Sequence, residues 1–188
     1  MLLLLEHPHV YTLGRNAEES DVTASPEWLA EHEVEVARCD RGGQVTYHGP
    51  GQLVGYPILN LDPDRRDVGR YVRDLQEVLV RTLADYGIEA EGRSEPGIGV
   101  WVGDAKIASI GVHLKRWVTT HGFALNVTTE LSMFAGIVAC GLDQVRMTSI
   151  ATLTGNAPPL QQVGRRCGRH FAAVFERALA TSAPAASG

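Results

Sequence analysis

The apolar positions of the chain open with an unbroken run, Leu2 to Leu5, which predicts a strand buried on both faces; after His7-Pro8 a second short strand is expected over Val10 to Leu13, ended by Gly14-Arg15. Ser25-Pro26-Glu27 has the form of a helix start, because a serine oxygen accepts from a freed N–H and proline fits the first helical position; Trp28 and Leu29 then fall on the inner side. Val34 to Ala37 returns as a strand. Leu53 to Leu59 is β-like apart from Pro57, which predicts an edge, a bulge or a strand end there. The clearest helical period runs through Val68, Tyr71, Val72, Leu75, Val78, Leu79, Leu83 and Tyr86, with Asp67 placed to cap its start and Gly87 to end it. Strands are expected over Ile98 to Val102, Lys106 to Leu114 and about Gly122 to Val127, a set of neighbours that reads as antiparallel. Gly136 to Gly141 reads as a loop. Thr148 or Ser149 is expected to cap a short helix to about Leu153, and Pro158-Pro159 to open a last helix carrying Leu160, Val163, Cys167, Phe171, Val174, Phe175 and Leu179.

Strands and helices segregated in this way predict an α+β fold, a mixed and partly antiparallel sheet packed by helices. The reading is of a single domain over 1–180 with a small-residue, disordered tail over 181–188. A net charge of −5 supplies no basic excess for neutralising phosphates, so nucleic acid is not an expected partner. The apolar opening is too short for a signal core or a membrane span, which leaves a cytoplasmic protein with no membrane partner as the expectation. Three widely spaced cysteines, Cys39, Cys140 and Cys167, form neither a zinc pair nor a disulfide framework; no metal site and no cofactor are expected.

One stretch breaks the periodicity. Arg41-Gly42-Gly43-Gln44-Val45-Thr46-Tyr47-His48-Gly49-Pro50-Gly51-Gln52 interleaves four glycines with polar-tipped side chains. Glycine lets a backbone take positive φ and come close to a ligand, so the run reads as a ligand-holding loop, with a glycine-bearing hairpin connection as the alternative. Of the cysteines, Cys167 falls on the apolar face of the last helix and reads as core. Cys140, between Ala139 and Gly141 in a segment with little periodicity, reads equally as a buried thiol or as a nucleophile with room for a carbonyl beside it. Lys106 opens an apolar strand after the turn Gly103-Asp104-Ala105; it is either a solvated strand end or a cation able to hold a thiolate. His48 inside the glycine run is a further candidate, and His121 before Gly122 reads more simply as a polar strand end.

The run RGGQVTYHGPGQLVGYP resembles the signature of the octanoyltransferases of lipoate biosynthesis, and the resemblance extends through LLLEHPHVYTLGR, GDAKIASIG, HGFALNV, ACG and TSI, most of Leu2 to about Ile150. It implies the fold of the lipoate and biotin protein ligase catalytic domains, with an acyl pocket at one end of the sheet. It implies transfer of an octanoyl group from octanoyl-acyl carrier protein to a lysine of lipoyl domains, those of 2-oxoacid dehydrogenases and of the glycine cleavage H protein, through a cysteine thioester. The match of ACG makes Cys140 the acyl-accepting cysteine, and the Gly-x-x-Lys-Ile-Ala pattern makes Lys106 the catalytic lysine. The acyl pocket is implied to comprise Arg41, Gly42, Gly43, Gln44, Val45, Thr46, Tyr47 and His48, then Ser109, Ile110 and Gly111, then Gly122, Phe123 and Ala124. Small residues on adjacent strands leave room for a fatty chain; register decides whether Ile110 and Phe123 face the pocket or the core.

Two departures from the family pattern stand out. Members commonly carry a further strand and helix before the segment matched by Leu2 to Leu5, and a proline where Ala139 stands. Two other readings use the same residues. An ATP-dependent lipoate or biotin protein ligase would use a similar glycine loop and lysine without a covalent cysteine intermediate. A noncatalytic acyl-binding module would bind without turnover.

Overall fold

In the computed structural model, which describes residues 1–138 and 145–178, the apolar runs assemble into two sheets. The larger contains β1 (Leu2–Leu5), β5 (Gln52–Pro57), β9 (Val118–Asn126), β8 (Ala105–Lys115), β7 (Gly99–Val102) and β6 (Glu91–Arg93), in that spatial order and antiparallel throughout. β10 (Arg146–Met147) joins β8 in parallel, Met147 beside Lys106. The smaller sheet sets β2 (Val10–Leu13) between β3 (Glu35–Arg38) and β4 (Val45–His48).

α2 (Val68–Ala84) and α4 (Leu160–Phe175) pack on each other and cover one face of the large sheet. Their apolar stripes form the main core: Leu75, Val78, Leu79 and Leu83 from one and Val163, Cys167, Phe171 and Phe175 from the other meet Leu53, Val100, Ala108, Phe123 and Leu125 of the strands. Each such buried large side chain contributes about 1.5–3 kcal/mol relative to exposure. Asp67 caps α2 by accepting from the Arg70 N–H at 2.9 Å, and Gly87 ends the segment at φ 71°. α1 (Pro26–Glu31) starts as its sequence requires, Ser25 Oγ accepting from the Trp28 N–H at 3.2 Å. α3 (Ile150–Thr154) is capped by Ser149. The small sheet has its own core, in which Tyr11, Leu13, Val45 and Tyr47 pack against Met133, Phe134 and Ile137.

Three local expectations are corrected. β1 is not buried on both faces: it is an end strand, so Leu2 and Leu4 reach the main core while Leu3 remains 42% exposed. The glycine run is not one loop, because its second half is strand β4, and Gly49-Pro50-Gly51 carries the chain from the small sheet to the large one. Gly51 is required there by its φ of 78° and by Thr128, whose carbonyl carbon would lie 2.7 Å from an added Cβ. β9 begins at Val118, ahead of the expected Gly122, because Arg116 and Trp117 take φ of 51° and 65° and close a two-residue hairpin. A turn of this hand normally carries glycine or asparagine. Here the Trp117 carbonyl accepts from the Leu61 N–H at 2.8 Å and its side chain packs on the core, so tertiary contacts hold the turn.

Candidate functional site

A cavity of about 510 Å³, within the range of small-molecule pockets, is lined by residues of both sheets and of α2. Its lining includes Arg41, Gly42, Gly43, Gln44, Val45, Thr46, His48, Ser109, Ile110, Gly111, Gly122, Phe123 and Ala124, together with Lys106. Of the residues expected in the acyl pocket, Tyr47 is the exception. It is fully buried in the small-sheet core, with its hydroxyl 2.8 Å from His9 Nδ1, because alternation along β4 turns it away from Thr46. Cys140, with its neighbours Ala139 and Gly141, lies outside the described residues, as does the expected tail over 181–188.

Register settles the two open positions. Ser109 pairs with Ala124 and Gly111 with Gly122, so these small residues share one face, whereas Ile110 pairs with Phe123 on the other. Both large side chains belong to the main core, at 9% and 3% exposure, and contribute only part of the cavity wall. The glycine loop closes over the small residues: the Gly42 N–H donates to Val112 O at 2.9 Å, and the Arg15 and Asn16 N–H groups hold Arg41 O and Gly43 O at 3.0 and 3.1 Å. Arg41 is buried, and its guanidinium donates to Thr12 Oγ1 from Nη2 at 2.9 Å and from Nε at 3.2 Å, tying the loop to β2.

Lys106 is 1% exposed, so it is not a solvated strand end. Its direction comes from a bulge. Val100 pairs with Ala108 and Trp101 with Lys106, leaving Ile107 as an extra residue on β8. Were Ile107 regularly paired, strict alternation would place Lys106 with Ala108 and Ile110 toward the helices; with the bulge, Lys106 joins Ser109 and Gly111 on the cavity face.

His48 reaches Lys106 through a hydrogen-bonded chain. Its Nδ1 lies 2.8 Å from Gln52 Oε1; Gln52 Nε2 donates to Tyr47 O at 3.2 Å and to Asn126 Oδ1 at 3.0 Å; Asn126 Nδ2 donates to Thr148 O at 3.0 Å; and the Thr148 N–H donates to Lys106 O at 2.9 Å. Since Gln52 spends its amide protons on oxygens, Nδ1 carries the His48 proton and Nε2 keeps its lone pair. Burial pushes the His48 pKa down to about 4. The folded value lies below the unfolded one of about 6.5, so the stabilisation is complete above pH 6.5 and is lost as pH falls toward 4. Across that window His48 accounts for about 3 kcal/mol of lost stability. Urea unfolding at pH 7 and pH 4 is expected to show a smaller loss in His48→Gln than in the parent; equal losses would contradict this assignment.

His121 is not at a strand end. It lies within β9 opposite Val112, takes φ of 58°, lines the cavity and meets Asp40 Oδ1 at 2.6 Å through Nε2, while His113 Nε2 approaches the other Asp40 oxygen at 3.6 Å. The hydrogen bond from His121, with the histidine charges, lowers the Asp40 pKa. The sequence reading also missed Tyr56, Val68, Val72 and Ile98 of the cavity wall. Tyr56 was legible, since period two along β5 places it with Gln52 and Val54. Val68 and Ile98 were not: the helical period assigns Val68 to the core, yet it is 44% exposed, and Ile98 is 43% exposed in the loop before β7.

Cys39 is half-buried, lines the cavity and directs its thiol toward Leu13 O at 3.6 Å, whereas Cys167 is fully buried in the core, where desolvation pushes its thiol up to about 12. No group of three or more potential metal ligands occurs among the described residues. Among those residues, no helix is long and apolar enough to cross a membrane.

The octanoyltransferase of Solibacter usitatus is 57% identical over 175 residues, covering 93% of this chain and 78% of that protein. A bipartite lipoate protein ligase of Thermoplasma acidophilum superposes with a TM-score of 0.79 at 17% identity, over 96% of this chain and 73% of that one. Biotin protein ligase of Aquifex aeolicus superposes with a TM-score of 0.59 at 15% identity, over 88% and 70%. At such identities the two structures speak for the fold alone, and they bear out the expected lipoate and biotin ligase architecture. Residues 1–172 match the Lipoyl protein ligase A/B catalytic domain, and the chain belongs to that family.

Proposed function

We propose that this chain is an octanoyltransferase of protein lipoylation, moving an octanoyl group from octanoyl-acyl carrier protein to the lysine of a lipoyl domain in the cytoplasm, where thiols such as Cys39 and Cys167 stay reduced. The observation that carries the reading is a buried lysine, Lys106, on the wall of a mainly apolar cavity, in a chain 57% identical to an octanoyltransferase. Burying an octanoyl chain there gains about 0.8 kcal/mol per methylene, which makes chain length a selectable property.

In this reading the Cys140 thiolate attacks the thioester carbonyl, the tetrahedral adduct collapses, and the carrier's sulfur leaves with a proton from Lys106. The lipoyl-domain amine then attacks the acyl-cysteine, gives up a proton to the Lys106 amine left by the first half, and expels Cys140 as the thiolate that starts the next cycle. The segment carrying Cys140 leads into β10, whose Met147 pairs with Lys106, and this supports placing both groups at one site. Neutral His48, with its Nε2 lone pair, offers an acceptor on the cavity wall. Because the thioester supplies the driving force, no nucleotide enters the scheme.

Intact mass after incubation with octanoyl-acyl carrier protein should rise by one octanoyl group, through a bond cleaved by hydroxylamine. Adding a lipoyl domain should move that group to the domain without ATP. Transfer that requires ATP and free octanoate would replace this reading with a ligase. Binding without any covalent adduct would reduce the chain to an acyl-binding module.

A further inference from the structure

We propose that Trp101 is a positioning residue for the transfer reaction: its indole face holds the Lys106 ammonium at the cavity wall. The proposal rests on the octanoyltransferase reading, in which Lys106 is the proton carrier. Lys106 Nζ lies 5.6 Å from the centroid of the Trp101 ring, within the range in which a cation is drawn to the face of an indole. Both groups are buried, at 1% and 3% exposure, where such a contact is stronger than at a wet surface.

The backbone sets the two side chains beside each other. Trp101 and Lys106 are directly paired across β7 and β8, so their side chains rise from the same face, and they pair only because the Ile107 bulge shifts the register by one residue. The stem of the lysine is confined as well. A Cβ added at Gly99 would lie 2.5 Å from Lys106 Cε and 2.2 Å from Ala108 O, so glycine at this position is what leaves the lysine its path.

The ring itself is held in turn. Its Nε1–H donates to Gly97 O at 3.2 Å, and Arg93, paired with Glu91 through Nε at 2.7 Å, places its guanidinium carbon 5.6 Å from the ring centroid. A long lysine carries several rotatable bonds, and proton transfer at a fixed sulfur or nitrogen demands one of its many rotamers. The indole selects that rotamer without supplying a competing proton acceptor, since its only polar hydrogen is already committed to Gly97.

The test compares Trp101→Phe, which keeps a ring, with Trp101→Leu, which keeps apolar bulk alone, using octanoyl-acyl carrier protein and a lipoyl domain. Thermal unfolding is measured alongside, and if Trp101→Leu does not fold, Trp101→Met takes its place. We expect the ringless variant to lose about 10- to 30-fold in kcat with KM within about twofold, and Trp101→Phe to stay within about threefold of the parent. In a Lys106→Ala background the ringless change should add no further loss, because it acts through the lysine. Equal losses in the Phe and Leu variants, or a ringless loss undiminished without Lys106, would overturn the proposal while leaving octanoyl transfer in place. A parent protein that transfers no octanoate would overturn the functional reading instead, and this inference with it.

Discussion

Replacing Cys140 with serine is expected to abolish octanoyl transfer, by at least about a thousandfold in kcat, while the melting temperature stays near that of the parent. A hydroxyl nearly matches a thiol in size but is a far weaker nucleophile at neutral pH, so the loss falls on the chemical step. The other cysteines make the result interpretable in different ways. Cys167 is fully buried and its thiol is pushed up to about 12, so it carries almost no thiolate and Cys167→Ala should transfer normally at some cost in stability. Cys39 lines the cavity and is only half-buried, so it is not a neutral control. Peptide mapping should therefore find the octanoyl adduct on the Cys140 peptide and none on the Cys39 peptide. An adduct on Cys39, or transfer by Cys140→Ser at the parent rate, would overturn the assignment of the nucleophile.

Lys106→Met should separate activity from stability more sharply than truncation does. Methionine is similar in length and apolar, so it refills a site that is 1% exposed while removing the charge and the exchangeable proton. Octanoyl transfer is expected to fall by about a hundredfold or more, the usual worth of a positioned acid–base group, with thermal stability changed little by comparison. Pre-steady-state mass spectrometry locates the defect. Acyl-enzyme should build up slowly, and then pass slowly to the lipoyl domain, because the same proton carrier serves both halves. A normal rate in both halves would show that Lys106 fills space and does nothing more. A loss confined to a poorly folded protein would instead give the residue a structural role.

Much of the fold was legible from residue spacing. The 3.6-residue period and flanking Asp67 and Gly87 located α2, the Ser25-Pro26 pair located α1, and the apolar face of the last helix correctly took Cys167 into the core. These features are local: a cap, a proline or a stripe acts within a few residues of itself, so its signal lies in the order of the chain. Most of the glycine run lines the cavity, though it was read as one loop. Nothing within it shows that Val45–His48 would pair with β2 while Gln52–Pro57 joined a different sheet.

By itself, then, the sequence determined which residue types the site contains and, through its motifs, the family to which the chain belongs. Where those residues point was decided by tertiary structure. The extra residue Ile107 turns Lys106 from the helix-covered face to the cavity, and the pairing of Ser109 with Ala124 and of Gly111 with Gly122 opens the space that Ile110 and Phe123 would otherwise fill. His48 is neutral because the fold buries it, and its Nδ1 is oriented by Gln52, which is held in turn by Asn126 from a distant strand. In each case the cause is the same. A strand shows alternate residues to opposite faces, so a shift of one position reverses every side chain, and the partner strand that fixes the shift lies elsewhere in the sequence.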